Sequence, residues 1–185
     1  MRRVESETAA RDVVDAARTE HWRANHHCSA FVIGSDGSPQ RSSDDGEPAG
    51  TAGRPMLEVL THTGVSDVVA VVTRYFGGTK LGTGGLARAY SGAVSAALDE
   101  APRVRRELMQ VCELSVSHAA AGRVEHDLRT DGWEVLDVAY AATAVMSLAV
   151  PDGEVDALAA RLGALGIDGR TLRSTGTRWH DAAVR

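Results

Sequence analysis

Three carboxylates fall within four residues in Arg41-Ser42-Ser43-Asp44-Asp45-Gly46-Glu47-Pro48-Ala49-Gly50-Thr51-Ala52-Gly53, beside the Ser42 and Ser43 hydroxyls and three glycines. Asp44, Asp45 and Glu47 are the candidate ligands for a hard cation such as magnesium, or the partners of a nearby arginine. Their order does not follow the calcium-loop pattern, and no metal is named by the spacing. The plainer reading is a solvated acidic turn whose Asp and Ser side chains bond their own backbone.

A second constellation is Arg74-Tyr75-Phe76-Gly77-Gly78-Thr79-Lys80-Leu81-Gly82-Thr83-Gly84-Gly85-Leu86-Ala87-Arg88. A β-branched run enters a glycine-rich loop that opens a helix, so backbone N–H groups face a positive helix end where an anion is favoured. Arg74, Lys80 and Arg88 add charge, and Gly77, Gly78, Gly82, Gly84 and Gly85 let a ligand approach the backbone. The segment fails both the Walker pattern and G-x-G-x-x-G, where Ala87 fills the third place. A phosphate backbone or a carboxylate therefore fits better than a free nucleotide. The plainer reading is tight turns and close helix–strand packing.

The third is Asn25-His26-His27-Cys28, a pairing of residue types that serves nucleophilic or metal chemistry. Neighbouring side chains on a strand point to opposite faces, so convergence of these residues is not expected. The Arg103/Arg105/Arg106 cluster reads as a solvated hinge, and Cys112 as a small apolar strand residue.

Elements must position these groups. Ala10, Val13, Val14, Ala17 and His21 recur at the spacing of one helical face, predicting a helix over residues 8–22. Residues 29–34 read as a strand and 35–53 as a polar loop without periodicity. A short helix runs from Pro55 to Gly64, a buried strand over 67–76, and a helix from Leu86 onward. Pro102 and the arginines place a linker at 102–106. Beyond it the pattern predicts strand 108–117, helix 118–130, strands 133–140 and 142–150, helix 152–165 capped by Asp152, and a strand 167–177. That β-α-β-β-α-β order is the ferredoxin-like arrangement. The predicted class is α+β, with an N-terminal domain over 1–101, a C-terminal domain over 107–180 and a tail at 181–185.

Composition narrows the function. With 43% hydrophobic and 24% charged residues the 185-residue chain is globular in character. No apolar run approaches the roughly 20 residues of a membrane helix, and the N-terminus lacks a secretory h-region. Two cysteines are too few for a disulfide framework, so a cytoplasmic location with free thiols is expected. The net charge of −5 argues against a strongly charge-driven nucleic-acid binder, leaving only a local basic patch. At 4% aromatics, no base-stacking platform is expected.

Ala24-Asn25-His26-His27-Cys28-Ser29-Ala30, the run from Ser43 through Pro55, Thr73-Arg74-Tyr75-Phe76-Gly77-Gly78 and Lys80-Leu81-Gly82-Thr83-Gly84-Gly85-Leu86 together resemble the YigZ/IMPACT family. Residues of about 8–100 look like its N-terminal domain and 107–178 like the extra C-terminal domain of bacterial members. The resemblance implies an N-terminal fold similar to domain two of ribosomal protein S-five, and a C-terminal ferredoxin-like fold similar to the end domain of elongation factor G. Eukaryotic relatives regulate translation through a kinase-activating partner, using an additional domain not recognised in this sequence. Family members usually begin with an N-terminal strand. None is visible before Thr8, so an N-terminal edge strand is expected to be missing, leaving an edge prone to association.

The resemblance supplies no catalytic residue and no cofactor. His26, His27, Cys28, Ser43, Asp44, Asp45, Glu47, Thr51 and Arg54 are taken as one motif cleft, facing an anion- or nucleic-acid-binding loop of Arg74, Gly77, Gly78, Lys80, Gly82, Gly84, Gly85 and Arg88. The acidic group is expected to meet Arg74 and Arg88 in that cleft, with at least one Asp–Arg pair. The favoured function is a translation-associated regulatory or binding protein whose partner is RNA, the ribosome or a translation-related protein. The alternative is an enzyme acting on a phosphorylated or carboxylated small molecule through a metal or acid/base carboxylate cluster.

Overall fold

The computed structural model describes residues 1–183 and divides the chain into two compact units, Met1–Ala101 and Pro102–Arg185. Both are α+β with antiparallel sheets. Among the described residues, no helix is long and apolar enough to cross a membrane.

In the first unit the order is β1 (Arg2–Arg3), α1 (Glu7–Glu20), β2 (His26–Val32), β3 (Gln40–Ser43), α2 (Gly53–His62), β4 (Val68–Arg74) and α3 (Gly82–Glu100). The strands are ordered β1-β4-β2-β3. Both faces of β2 are covered, and five of its seven residues are buried. Phe31 and Ile33, just beyond its end, join Ala10 and Val69 in the core beneath α1. Cys28, Ala30 and Val32 pack on the opposite face with Met56, Leu60, Leu86, Tyr90 and Val94 of α2 and α3. Ser6 starts α1 by accepting the Ala9 N–H on its hydroxyl (3.1 Å), as an N-cap serine should.

The second unit runs β5 (Val104–Val116), α4 (His118–Thr130), β6 (Glu134–Tyr140), β7 (Ala144–Pro151), α5 (Val155–Ala164), a 3-10 turn (Gly169–Thr171) and β8 (Leu172–Ala183). Its strands are ordered β6-β7-β5-β8. Val124 and Leu128 of α4 and Leu158 and Leu162 of α5 bury against Leu114, Met146 and Leu148 in one core. Both helices therefore lie on the same face of the sheet.

Several expectations need correction. The N-terminal strand is not missing: Arg2 and Arg3 pair with Val69 and Val68, although over two residues only. The loop expected over 35–53 contains β3, whose Gln40, Arg41, Ser42 and Ser43 pair with β2. β3 is an edge strand with every side chain exposed, so it carries no apolar alternation to read. Residues 104–106 of the expected linker belong to β5, and 181–183 of the expected tail belong to β8. The two stretches pair with each other, Val104 with Ala183 and Arg106 with Asp181. This ribbon runs past the end of β7, where Arg105 is exposed while Arg106 lies over the Trp179 ring beside Asp181. Residues 184–185 of the expected tail lie outside the described residues. Asp152 does not cap α5: the N-cap is Glu154, without a side-chain bond, and Asp152 accepts from the Gln110 side-chain amide (3.2 Å).

One close approach sets the packing of the first unit. A Cβ on Gly53, the first residue of α2, would lie 2.7–2.8 Å from the backbone N, C and O of Ser43 in β3. Gly53→Ala should therefore destabilise the protein by about 1–3 kcal/mol, as overpacking against rigid backbone does. Gly92→Ala lies within exposed α3 with nothing within 4 Å of the new methyl. It should be neutral or stabilising, by up to about 1 kcal/mol. Urea unfolding of both variants checks the contrast.

Candidate functional site

The acidic motif folds by bonding its own backbone. Asp44 Oδ1 accepts the N–H groups of Ala52 (3.0 Å) and Gly53 (2.8 Å), and Oδ2 accepts that of Gly50 (2.8 Å). The first helical turn of α2 has no side-chain cap of its own at Ala52. Asp44 supplies one from across the loop, placing a carboxylate at the positive helix end. Burial pushes the Asp44 carboxyl up, but the three N–H donors outweigh it and hold the group below the usual carboxylate range. The Asp44 carbonyl accepts the Glu47 N–H (2.9 Å) and the Cys28 thiol (2.9 Å).

Asp45 sits in the left-handed region at φ 43°. Its Oδ2 accepts the His27 backbone N–H (2.6 Å), and its Oδ1 accepts from Arg18 of α1 (2.8 Å). Burial raises this carboxyl too, and the His27 and Arg18 bonds more than reverse it. The Asp45 carbonyl bonds His26 Nδ1 (2.9 Å), which fixes the proton on that nitrogen because a carbonyl only accepts.

Glu47 turns inward and is 8% exposed. Its Oε1 accepts from Arg74 (2.5 Å) and from the Tyr90 hydroxyl of α3 (2.7 Å), with His26 Nε2 at 3.9 Å. Burial raises its pKa, and Arg74 and Tyr90 bring it below the usual range. The same burial, with the Cys28 and Glu47 bonds, pushes the Tyr90 hydroxyl strongly upward. Cys28 is driven to about 11, chiefly by burial and then by the three carboxylates against the opposing Tyr90 bond. It is a buried thiol, the wrong protonation state for a nucleophile.

Each expected cleft residue now has a place. His26 and Cys28 face the acidic loop, while His27 touches Asp45 through its backbone and leaves Nε2 buried without a hydrogen-bond partner among the described residues. Ser43 accepts from the Asp45 N–H (3.3 Å), and Thr51 donates to the Pro48 carbonyl (2.7 Å). Arg54 is exposed on α2 and pairs with Glu58 (3.0 Å). The expected carboxylate–arginine contacts form differently: Arg74 meets Glu47, and the aspartate with an arginine partner, Asp45, uses Arg18. Arg88 instead borders a groove between α2 and α3 with Glu58, His62 and Ser91. Among the described residues, no group of three or more His, Cys, Asp and Glu side chains is placed to hold a metal ion. Asp44, Asp45 and Glu47 are drawn to separate partners.

The glycine-rich segment stands the other way, outward. Gly77, Gly78, Thr79, Lys80, Leu81, Gly82, Thr83 and Gly84 are all exposed. Gly78 and Gly82 take positive φ, 95° and 72°, which an L side chain adopts only under strain. Neither Lys80 nor Arg88 has an ion-pair partner among the described residues. Sequence reasoning passed over Arg18, Tyr90, His21, Trp22 and Asn25. Asn25 accepts the Phe76 N–H (2.9 Å) and donates its own N–H to the Arg74 carbonyl (3.0 Å), while His21 Nδ1 bonds the Tyr75 hydroxyl (3.1 Å). These bonds gather the exposed rings of Tyr75 and Phe76 beside the α1–β2 connection that carries Trp22. Composition reports how few aromatic residues there are, and not that these two lie exposed. A lone Trp22 between His21 and Arg23 was the signal available.

Residues 1–98 match the Impact N-terminal domain, and residues 114–165 match a domain of unknown function, DUF1949. The chain is 42% identical over 155 residues to IMPACT family member YvyE of Bacillus subtilis strain 168, covering 84% of this chain and 71% of that protein. It is 39% identical over 156 residues to IMPACT family member YigZ of Escherichia coli K12, covering 83% and 76%. Protein IMPACT homolog of Saccharomyces cerevisiae is 43% identical over 84 residues, 43% of this chain and 32% of that one. A solved structure described as that of a hypothetical protein aligns with a TM-score of 0.55 at 33% identity, over 99% of this chain and 85% of the other.

The depressed carboxyl pKa values carry a sign. Each group contributes stability that is complete above the ordinary carboxylate pKa of about 4 and is lost as pH falls through its lower folded value. Asp44→Ala should cost about 1–2 kcal/mol near neutrality, as loss of a helix cap does. Its stability should then fall less steeply than wild type as pH drops below about 4. Denaturant melts at a series of pH values measure both.

Proposed function

The chain belongs to the IMPACT family, and from that membership we propose that it is a translation-associated binding protein that contacts the ribosome through the outward face of its Arg74–Arg88 segment. The observation that carries this reading is a division of labour between the two motifs. The carboxylates of the acidic motif are engaged by N–H groups, arginines and a tyrosine inside the fold. The glycine-rich motif leaves its backbone, Lys80 and Leu81 in solvent.

Charge supports the same face. The chain is −5 overall, yet residues 68–98 contain no Asp or Glu, and of their three basic residues Arg74 is taken up by Glu47 while Lys80 and Arg88 remain to charge the surface. A local positive field on an acidic protein suits contacts to phosphate, which position a protein without reading sequence. The alternative, an enzyme working through Asp44, Asp45 and Glu47, draws on carboxylates already committed elsewhere and on a Cys28 held as a thiol.

Arg74 must be left intact in any test, because it neutralises buried Glu47. Lys80→Ala/Arg88→Ala removes charge without touching that pair. Co-sedimentation with ribosomes across a salt series should show binding that weakens with salt, and in the double variant weaker binding with a shallower salt slope, by about one for each cation that met a phosphate. Arg54→Ala, whose charge is paired on α2, should bind as wild type. Equal binding by the Lys80/Arg88 variant, or no binding at any salt, would remove the proposal.

A further inference from the structure

The geometry points to single-stranded RNA as the ligand of this face, held by stacking of unpaired bases on Trp22, Tyr75 and Phe76. The inference rests on the ribosome-contact reading and narrows it to one chemistry. The first unit has five aromatic residues. Phe31 and Tyr90 are core, whereas Trp22 is 71% exposed, Tyr75 58% and Phe76 45%. Rings of this size normally bury. Here they are held out by specific bonds: Tyr75 by His21, whose ring meets it edge-on at 6.2 Å, and Phe76 by the Asn25 side chain.

Cations accompany the rings. The Arg23 guanidinium lies 4.7 Å from the Trp22 ring centroid, and that of Arg74 lies 5.3 Å from Phe76. Lys80 follows four residues after Phe76 in the acid-free stretch. Exposed rings interleaved with positive charge bind single strands: each base offers a π-face, and the phosphates meet the cations. A duplex keeps its bases stacked inside and offers no face to the rings.

The test is fluorescence anisotropy with a labelled oligouridine of about ten nucleotides, a length spanning one such site. Wild type should bind it more tightly than a duplex of equal length. Trp22→Ala and Phe76→Ala should each weaken binding about five-fold or more, while Trp22→Phe, which keeps a ring, should retain it. Both side chains are exposed, and circular dichroism verifies that the variants remain folded. Unchanged affinity in the alanine variants, or equal affinity for duplex, would overturn stacking. If the same alanine variants still co-sediment with ribosomes in a Lys80/Arg88-dependent way, the stacking inference fails and the ribosome reading survives. Capture of a ribosomal protein with no affinity for the oligonucleotide also overturns it. Loss of both oligonucleotide and ribosome binding in wild type removes both proposals.

Discussion

The Asp44 carboxylate holds the first unit in register. Its two oxygens take three backbone N–H groups that α2 and the turn before it would otherwise leave bare, and its carbonyl takes two further donors. Orphan N–H groups at a helix start need partners, and this one residue supplies them to a helix whose own N-cap is alanine. With α2 pinned, Gly53 lies against the Ser43 backbone at a distance only glycine permits. The loop between them then has one shape, and that shape directs Glu47 inward and Asp45 toward α1.

Glu47 extends the arrangement to the other motif. A buried carboxylate is costly unless charged and hydrogen-bonded partners meet it, and Arg74 and Tyr90 converge on a single oxygen. Arg74 is the last residue of β4, immediately before the exposed rings and the glycine loop. The acidic motif thus neutralises and orients the root of the basic one. The carboxylates of the acidic motif are bonded within the fold, and the glycine-rich segment is exposed.

Legibility followed the distance between partners. Asp44 reaches N–H groups six, eight and nine residues on, so the alternative of an acidic turn bonding its own backbone was within reach of local reasoning. Glu47 reaches 27 and 43 residues away, and Asp45 reaches back 27 to Arg18. Nothing in the spacing of Arg18 or Tyr90 marks them as partners. α1 was recognisable from its periodic face, α2 from Pro55 and Gly64 at its limits, and β4 from its β-branched run. β3 and the ends of β5 and β8 were not, because edge strands and two-stranded ribbons bury no side and show no period.

By itself the sequence determined the α+β class and the β-α-β-β-α-β order of the second unit, since these reside in local periodicity, turn chemistry and residue order. Tertiary structure alone decided which motif is buried and which is offered to solvent. Charge and composition are sums over the chain, whereas exposure is set by long-range contacts. Only folding could draw the carboxylates apart to separate partners while bringing Asn25 and His21 to Phe76 and Tyr75, across separations of 51 and 54 residues.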